Sequence, residues 1–204
     1  MAYPRTGGQP SRERGGIVEE GRMETKRLVL RRVRPEDDAP ALLAMLSDER
    51  VTRFLPLFSL RDEGEAREFA DRRLADPLSR VVCRREEPDE VIGYVTLAED
   101  DAHDLGYALR RDCWGRGFAR EAAYAVIGCA RAAGLAFLTA THDELNPASG
   151  AVMRACGLTY RYSYRELWQP KNYEVTFRMH QVDLVPGAPE YRGYWERHPR
   201  HWVG

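Results

Sequence analysis

The sequence predicts one folded domain of α/β (α+β) class, and three observations support this. The chain has 204 residues, of which 43% are hydrophobic and 31% charged, a composition typical of a globular domain with its own core. Three apolar segments in succession, at 80–85, 91–98 and 105–110, have the character of a three-stranded meander. A glycine turn, a periodic helix and a further strand follow, and that order indicates a β-α-β unit.

The chain before the meander is predicted to form one strand and two helices. Residues 27–32 alternate in the manner of a β-strand. The acidic residues directly after Pro35 indicate the first turn of a helix, because carboxylates are favoured at the positive end of the helix dipole. A second helix is predicted from Ser59 and Asp62, which have the spacing of a capping box.

The rest of the unit is predicted to contain two more helices and three more strands. The meander is expected to turn at Pro88 and Asp89 and again in the acidic stretch 99–104. The helix after the glycine turn has an apolar face of Ala119, Ala122, Ala123, Val126, Ile127, Ala130 and Ala133. Beyond it the pattern predicts a strand at 135–141, a helix at 146–155 and tyrosine-rich strands at 159–168 and 172–183.

The folded unit is predicted to span 23–183, with a segment of different composition at each end. Residues 1–22 are rich in glycine, proline and charge, which predicts a flexible N-terminal tail. Residues 184–204 form a C-terminal extension in which aromatic residues are interleaved with arginines. This pattern favours docking onto the same domain, or onto a second subunit of a homodimer, over binding of single-stranded nucleic acid.

The charge, cysteine and hydropathy patterns argue against several function classes. A net charge of −1 offers no overall basic surface for nucleic acid, and the sequence has no membrane span of about 20 apolar residues. The four cysteines are too widely spaced for a metal knuckle, and the histidines lack HExxH spacing, so no metal site is predicted. Residues 1–21 contain no apolar signal region, and we therefore expect a cytoplasmic protein with reduced thiols.

The turn between strand 105–110 and the following helix carries the clearest chemical signal. Gly115 and Gly117 allow bare N–H groups at the start of a helix to face an anion, which suits a phosphate. Arg120 stands where a dinucleotide-binding fingerprint needs a third glycine, and the Gly-Lys-Ser/Thr of a nucleoside-triphosphate loop is missing from the sequence. Taken alone, a turn of this kind more often binds nothing.

Two segments resemble the motifs of one protein family. The string Cys113–Ala122 (CWGRGFAREA) resembles the coenzyme A pyrophosphate loop of the GNAT superfamily of N-acetyltransferases. It is most similar to the branch of ribosomal-protein-alanine N-acetyltransferases, where W-G-K-G-[YF]-A-x-E-A is usual. Trp114 replaces the Gln or Arg of the superfamily's general pattern, as is common in this branch. Residues 146–158 resemble N-x-x-S-x-x-V-x-x-x-G-F, and the resemblance covers 23–183 in the expected order.

The resemblance implies a fold and a cofactor. The fold is a mixed, mostly antiparallel, twisted sheet of six to seven strands, with about four flanking helices and splayed fourth and fifth strands, here 105–110 and 135–141. Acetyl-CoA is expected to enter that cleft, and a bulge in strand 105–110 is expected to direct one N–H at the thioester. The residues expected to contact it are Tyr107, Ala108, Leu109, Trp114, Gly115, Arg116, Gly117, Phe118, Ala119, Arg120, Asn146 and Ser149.

Acetyl transfer to an amine needs a base for the amine proton and an acid for the departing thiolate. Many GNAT enzymes place a tyrosine acid at the position of Met153, which cannot donate a proton. The branch resemblance points instead to Ser149 as the acid and Glu166 as the base. Glu99, Asp100 and Asp101 are alternative bases, and Ser149 has the alternative role of bonding backbone at the start of its helix.

The acceptor is expected to be the primary amine of a small molecule, such as an aminoglycoside or another antibiotic. The acidic stretch 99–104 and the near-neutral chain offer a site for a cationic ligand, whereas nothing in the sequence marks a docking surface for a ribosomal protein. One alternative acceptor is the α-amine of a protein N-terminus. A non-catalytic acyl-CoA-binding module and a structural dimerisation protein are alternatives from other classes.

Overall fold

The computed structural model describes residues 21–204, so nearly all of the predicted tail, 1–22, lies outside the described residues. This part of the chain forms nine strands and six α-helices. The N-terminal elements are β1 (Met23–Glu24), β2 (Leu28–Arg31), α1 (Pro35–Leu46), α2 (Glu49–Thr52), α3 (Glu63–Ala75), β3 (Arg80–Arg84), β4 (Glu87–Leu97) and β5 (Leu105–Leu109). The C-terminal elements are α4 (Phe118–Ala132), β6 (Phe137–Asp143), α5 (Pro147–Ala155), β7 (Thr159–Trp168), β8 (Tyr173–Asp183), α6 (Gly193–Arg197) and β9 (His201–Trp202).

The strands form two antiparallel sheets that meet along one gap. The first sheet has the order β1-β2-β3-β4-β5 and the second the order β6-β8-β7-β9. Strands β5 and β6 run parallel and touch through a bridge between Asp104 and Thr139, after which they belong to separate sheets. The predicted α/β class with splayed fourth and fifth strands is confirmed. Strands β1 and β9, of two residues each, add to the predicted six to seven.

Helices cover both faces of the first sheet. Helix α4 packs on one face and α1 and α3 on the other, each side with its own cluster of buried apolar residues, and α5 packs against α4 and β6. All four residues of β2 are buried, because this strand is covered on both sides. A two-pronged ion pair between Arg31 and Asp38, with both N–O distances 2.8 Å, joins β2 to the first turn of α1. The apolar face predicted for α4 is buried at Ala122, Ala123, Val126, Ile127 and Ala130.

Several local expectations differ from the structure. Strands β3 and β4 turn at 85–86, and Pro88 lies inside β4 at a bulge, since proline has no N–H for the strand ladder. Helix α3 is capped by Asp62, whose carboxylate accepts from the Glu65 N–H. The Ser59 hydroxyl instead contacts Thr52 Oγ1 at 2.7 Å, so the predicted capping box was wrong. Strand β6 begins at Phe137, two residues later than predicted.

The segment 184–204 folds back on the second sheet. Strand β9 pairs with β7, with Ser163 opposite Trp202. Tyr191 is buried in an aromatic cluster with residues of β7 and β8, and its carbonyl accepts from the Tyr162 hydroxyl at 2.8 Å. Within the described residues no helix is long and apolar enough to cross a membrane. In residues 21–204, moreover, no three His, Cys, Asp or Glu side chains form a group that could hold a metal ion.

Candidate active site

The side of β5 that faces β6 has unpaired backbone groups. Arg110 N donates to Ile92 O at 2.8 Å, at one end of the β4–β5 pair. Ala98 N donates to Asp104 O at 3.0 Å, at the other end. In a regular antiparallel ladder, alternate residues point toward the partner strand, so even-numbered residues of β5 bond to β4. Odd-numbered residues therefore direct their N–H and C=O groups into the gap.

This register corrects two expectations about β5. The β4–β5 pairing runs without a shift, so the bulge expected within 107–109 is not present in this strand. The Ala108 N–H points at β4, and the groups directed into the gap belong to Tyr107 and Leu109. The Leu109 carbonyl accepts from the indole N–H of Trp114 at 2.8 Å. Trp114 thereby ties the turn after β5 to the end of the strand.

The turn before α4 presents free N–H groups. Gly115 and Gly117 have φ of +70° and +78°, values that glycine adopts without the strain of a Cβ atom. Gly117 is the N-cap of α4 and forms no side-chain cap, so the first helical N–H groups, at 118–120, are available to an external acceptor. A Cβ at Gly115 would meet no atom within 4 Å, which means that the space above the turn is open.

An ion pair that the sequence did not predict holds this turn against the first hairpin. Arg27 Nε lies 2.7 Å from Glu121 Oε2, and Arg27 Nη1 donates to the Arg116 carbonyl at 2.9 Å. Thr25 Oγ1 donates to the other oxygen of Glu121 at 2.6 Å. Burial alone would raise the pKa of Glu121, but the hydrogen bonds from Thr25 and Arg27 hold it below its usual value. The side chains of Arg116 and Arg120 remain exposed at the same helix end.

Tyr107 and Ser149 form a hydroxyl pair across the gap. Tyr107 Oη lies 3.0 Å from Ser149 Oγ, and the Tyr107 hydroxyl also lies 3.0 Å from the Ser149 carbonyl that accepts from it. Ser149 is held in the first turn of α5 because the Asn146 side chain caps its N–H at 3.3 Å. Burial raises the pKa of Tyr107, so the phenol stays protonated. Met153 is buried in the core, and its thioether has no proton to donate.

Glu166 lies on the other side of the second sheet. On β7 its side chain shares a face with Tyr164 and Trp168, two residues away in each direction, whereas α5 packs on the opposite face with the first core cluster. Its Oε2 is 3.2 Å from His198 Nε2. Burial raises the pKa of Glu166, and the charge of Arg197 opposes that effect. The structure thus brings Tyr107 and Ser149 together and places Glu166 apart from them, on the opposite face.

The acidic stretch 99–104 is largely engaged with the protein itself. Asp100 accepts from the Ala102 N–H at 3.1 Å, and Asp101 accepts from the Tyr191 hydroxyl at 3.4 Å, while Glu99 is exposed. Asp104, which we did not predict as a site residue, accepts from Thr139 Oγ1 at 3.3 Å, at the closed end of the gap. Burial raises its pKa to about 6. Asp104 directly precedes β5, and this position could have identified it from the sequence as a residue at the edge of the gap.

Comparisons with known proteins give one consistent family. A family model described as an acetyltransferase (GNAT) domain matches residues 27–159. An uncharacterized N-acetyltransferase p20 from Bacillus licheniformis is 34% identical over 111 residues, which are 50% of this chain and 62% of that protein. The chain thus spans less than two thirds of that relative.

Two solved structures have a similar fold at low identity. One, the microcin C7 self-immunity acetyltransferase MccE in complex with acetyl-CoA and AMP, has a TM-score of 0.68 and 14% identity, covering 78% of this chain and 93% of that one. The other, from Salmonella typhimurium, modifies the N-terminal serine of a 50S ribosomal subunit protein. Its TM-score is 0.67 with 16% identity, covering 78% of this chain and 96% of that one. At these identities the similarity concerns the fold alone.

Proposed function

The chain belongs to the GNAT acetyltransferase domain family, and from this premise we propose that it is an N-acetyltransferase. It transfers the acetyl group of acetyl-CoA to the primary amine of a small molecule, by direct attack in a ternary complex. The observation that carries the proposal is the alignment of three features along one gap. These are the free edge of β5, the uncapped start of α4 and the Tyr107–Ser149 pair.

The residues present fit acetyl-CoA, which supplies the acetyl group as a thioester. The N–H groups at 116–120 and the helix dipole of α4 offer an anion site of the size of a pyrophosphate. The exposed guanidinium groups of Arg116 and Arg120 add charge-assisted donors there. Along β5, the gap-facing N–H and C=O of Tyr107 and the N–H of Leu109 offer hydrogen bonds to an extended amide chain.

Glu166 is the proposed base. An aliphatic amine has an ordinary pKa near 10.4 and an α-amine about 7.7–8.0, so either arrives largely protonated and must lose a proton before attack. Burial already raises the pKa of Glu166, which makes its carboxylate a stronger proton acceptor than an exposed one. Asp104, whose pKa is raised to about 6 at the closed end of the gap, supplies a second carboxylate near the same region.

Ser149 is the proposed acid, supported by Tyr107. Because the phenol proton is donated to the Ser149 carbonyl, the Ser149 hydroxyl proton can be directed at the departing sulfur. Ser149 gives this proton to the thiolate and regains one from the acceptor nitrogen, which loses a proton as the amide forms, while Tyr107 keeps its own proton. This arrangement replaces the tyrosine that many GNAT enzymes have at the position of Met153.

A contact at the tip of the β7–β8 hairpin favours a small acceptor. Lys171 donates from Nζ to the carbonyl oxygens of Thr52, at 2.6 Å, and Arg53, at 2.9 Å. The hairpin that begins just after Glu166 is thereby fastened to the end of α2. We take this fastened hairpin tip as support for a compact amine over a polypeptide, and an antibiotic amine is our first candidate. Because one protein of similar fold modifies the N-terminal serine of a ribosomal protein, a protein N-terminus is our second candidate acceptor.

Thermal denaturation with and without acetyl-CoA tests the cofactor. A ligand at about 100 times its Kd stabilises the folded state by roughly 2.7 kcal/mol. For a chain of this length that amounts to a rise in Tm of about 5–10 °C. The absence of a rise with both acetyl-CoA and CoA would contradict the proposal.

Release of free thiol from acetyl-CoA tests the reaction and the acceptor. The panel contains aminoglycosides, simple primary amines and peptides with free N-termini. We expect turnover with at least one small amine and little with the peptides. A rise in Tm without thiol release from any acceptor would favour a binding module, and faster release with the peptides would favour the protein N-terminus.

A further inference from the structure

The C-terminal segment 193–202 lies directly over the strand that carries Glu166. Strand β9 pairs with β7, and the Arg165 N–H donates to the Arg200 carbonyl at 2.9 Å. Between α6 and β9, the backbone N–H of His198 donates to the Tyr194 carbonyl at 3.2 Å, and the His198 carbonyl lies 2.7 Å from His201 Nδ1. His198 is therefore held on both sides. This segment lies beyond the region matched by the family model.

The ring of His198 is also fixed in orientation. It stacks on Tyr164 with a centroid distance of 4.6 Å and an interplanar angle of 19°. Tyr194 stacks on the same tyrosine at 5.1 Å and 12°. In this position Nε2 of His198 lies 3.2 Å from Oε2 of Glu166, and the two side chains are only 21% and 25% exposed. A half-buried polar contact between side chains that are held by stacking keeps its geometry better than an exposed contact does.

We propose that His198 is a positioning residue for Glu166, donating its Nε2–H to one carboxylate oxygen so that the other oxygen faces the acceptor amine. The inference rests on the proposed function, in which Glu166 is the base. A carboxylate held by one neutral donor stays ionised and keeps one orientation, which are the two conditions for taking a proton in the transition state. The C-terminal segment thereby completes the active site rather than merely covering the sheet.

The surroundings of His198 and Glu166 favour an uncharged His198 imidazole, whose single N–H can be donated to Glu166. Burial lowers the pKa of His198, and the charge of Arg197 on α6 lowers it further, so the ring carries a single N–H at neutral pH. Arg197 also opposes the burial effect on Glu166. Burial raises the pKa values of Tyr164 and Tyr194, so neither phenol adds a charge at neutral pH.

Four further charged groups lie near the pair. Asp104 approaches the two tyrosines from the start of β5. Arg165 on β7, Glu174 on β8 and Arg200 line the groove beside Glu166, and Arg200 is paired with Glu174. Because Arg200 and Glu174 are paired with each other, Arg200 is not available to pair with Glu166, and Glu174 is not available to pair with His198.

The first test compares the pH dependence of kcat/KM for the amine in three variants. His198→Phe keeps the ring stack but has no N–H, so the pKa of Glu166 should rise. We expect the acid limb of the profile to move up by about one pH unit, so that kcat/KM falls about tenfold on that limb and by less at neutral pH. KM for acetyl-CoA should not change. His198→Gln keeps a donor near the position of Nε2 and should restore most of the rate, and Trp202→Phe in the same segment serves as control.

The second test does not need turnover. Nitrogen-15 NMR of histidine side chains should show the wild-type His198 ring with its proton on Nε2, and Glu166→Gln should change the pH at which that ring titrates. A proton on Nδ1, or an acid limb in His198→Phe that coincides with the wild type, would overturn the proposal. If the wild-type protein releases no thiol with any amine, the proposed function fails, while the NMR result still decides whether His198 donates to Glu166.

Discussion

In the proposed mechanism, Ser149 with Tyr107 beside it takes the role that one tyrosine has in many GNAT enzymes. Each residue alone has a modest role, since Ser149 sits in a capped first helical turn and Tyr107 is part of a strand. Their 3.0 Å contact holds the serine hydroxyl at the gap, next to a phenol that stays protonated. Residue identity at Met153 therefore does not by itself remove acid catalysis from this chain.

Ser149→Ala should lower kcat much more than it lowers binding of acetyl-CoA. Loss of a general acid typically costs about 10²–10⁴ in rate, and we expect a fall of about hundredfold. Tyr107→Phe should cause a smaller fall, because the serine proton remains. Steady-state kinetics and a CoA titration measure both effects. Ser47→Ala, at an exposed helix end, is the matched control, and an unchanged kcat in Ser149→Ala would leave the serine a purely structural residue.

At the scale of elements, the side that we propose for the acceptor depends on a contact between a hairpin tip and a short helix. Helix α2 has four residues, and its last carbonyl groups lack partners within the helix. Lys171 supplies a charged donor to the Thr52 carbonyl and its neighbour, an arrangement that the helix dipole also favours. The indole of Trp168 lies under the same ammonium at 5.1 Å. The hairpin is thus fixed at the far end of the strand that carries Glu166.

Lys171→Met should open this side of the molecule. Loss of the donor removes this partner from the Arg53 carbonyl and leaves the Thr52 carbonyl with the Leu55 N–H at 3.0 Å, and we expect a cost of about 1 kcal/mol in stability. KM for a small amine should rise a few-fold, while bulkier amines should become better substrates relative to the small one. Kinetics with a size series of amines measure the effect. Lys26→Met changes the only other lysine, at the first hairpin, and equal effects of both variants would show that charge rather than the contact is responsible.

Element positions follow from the sequence where a pattern is long and local, and fail where a distant contact decides. The period of α4 and the Asn146 cap of α5 were readable because all their signals lie within one helix. The capping box predicted from Ser59 was wrong because the Ser59 hydroxyl bonds to Thr52, and Asp62 caps α3 instead. The partners of Tyr107 and Glu166 come from 42 residues and 32 residues away, by difference of numbering. Such pairs are set by the topology of the two sheets, which no local pattern encodes.

At the scale of the whole molecule, a near-zero net charge conceals several buried ionisable groups. Asp104 lies at the closed end of the gap and Glu166 on β7, on the side that we propose for the acceptor, while Arg116 and Arg120 lie at the start of α4. Two histidines, His142 and His180, are buried under α5 with ring centroids 5.2 Å apart. Burying groups that charge near neutral pH makes the stability of the fold depend on pH. As the pH falls, a buried carboxylate with a raised pKa stabilises the folded state, whereas a buried histidine with a lowered pKa destabilises it. Variants are therefore needed to separate the two contributions.

His180 should make the fold less stable as the pH falls below 6.5. Burial lowers its pKa to about 4, so between pH 6.5 and 4 the unfolded chain binds a proton that the folded protein excludes. The cost reaches about 2 kcal/mol between pH 7 and pH 5. Asp104, with its pKa raised to about 6, gains stability in part of the same range and offsets the loss. We therefore compare Tm of the wild type with that of His180→Leu at both pH values. The wild type should lose about 5 °C relative to the variant on acidification, and an equal Tm difference at pH 7 and pH 5 would refute the assignment.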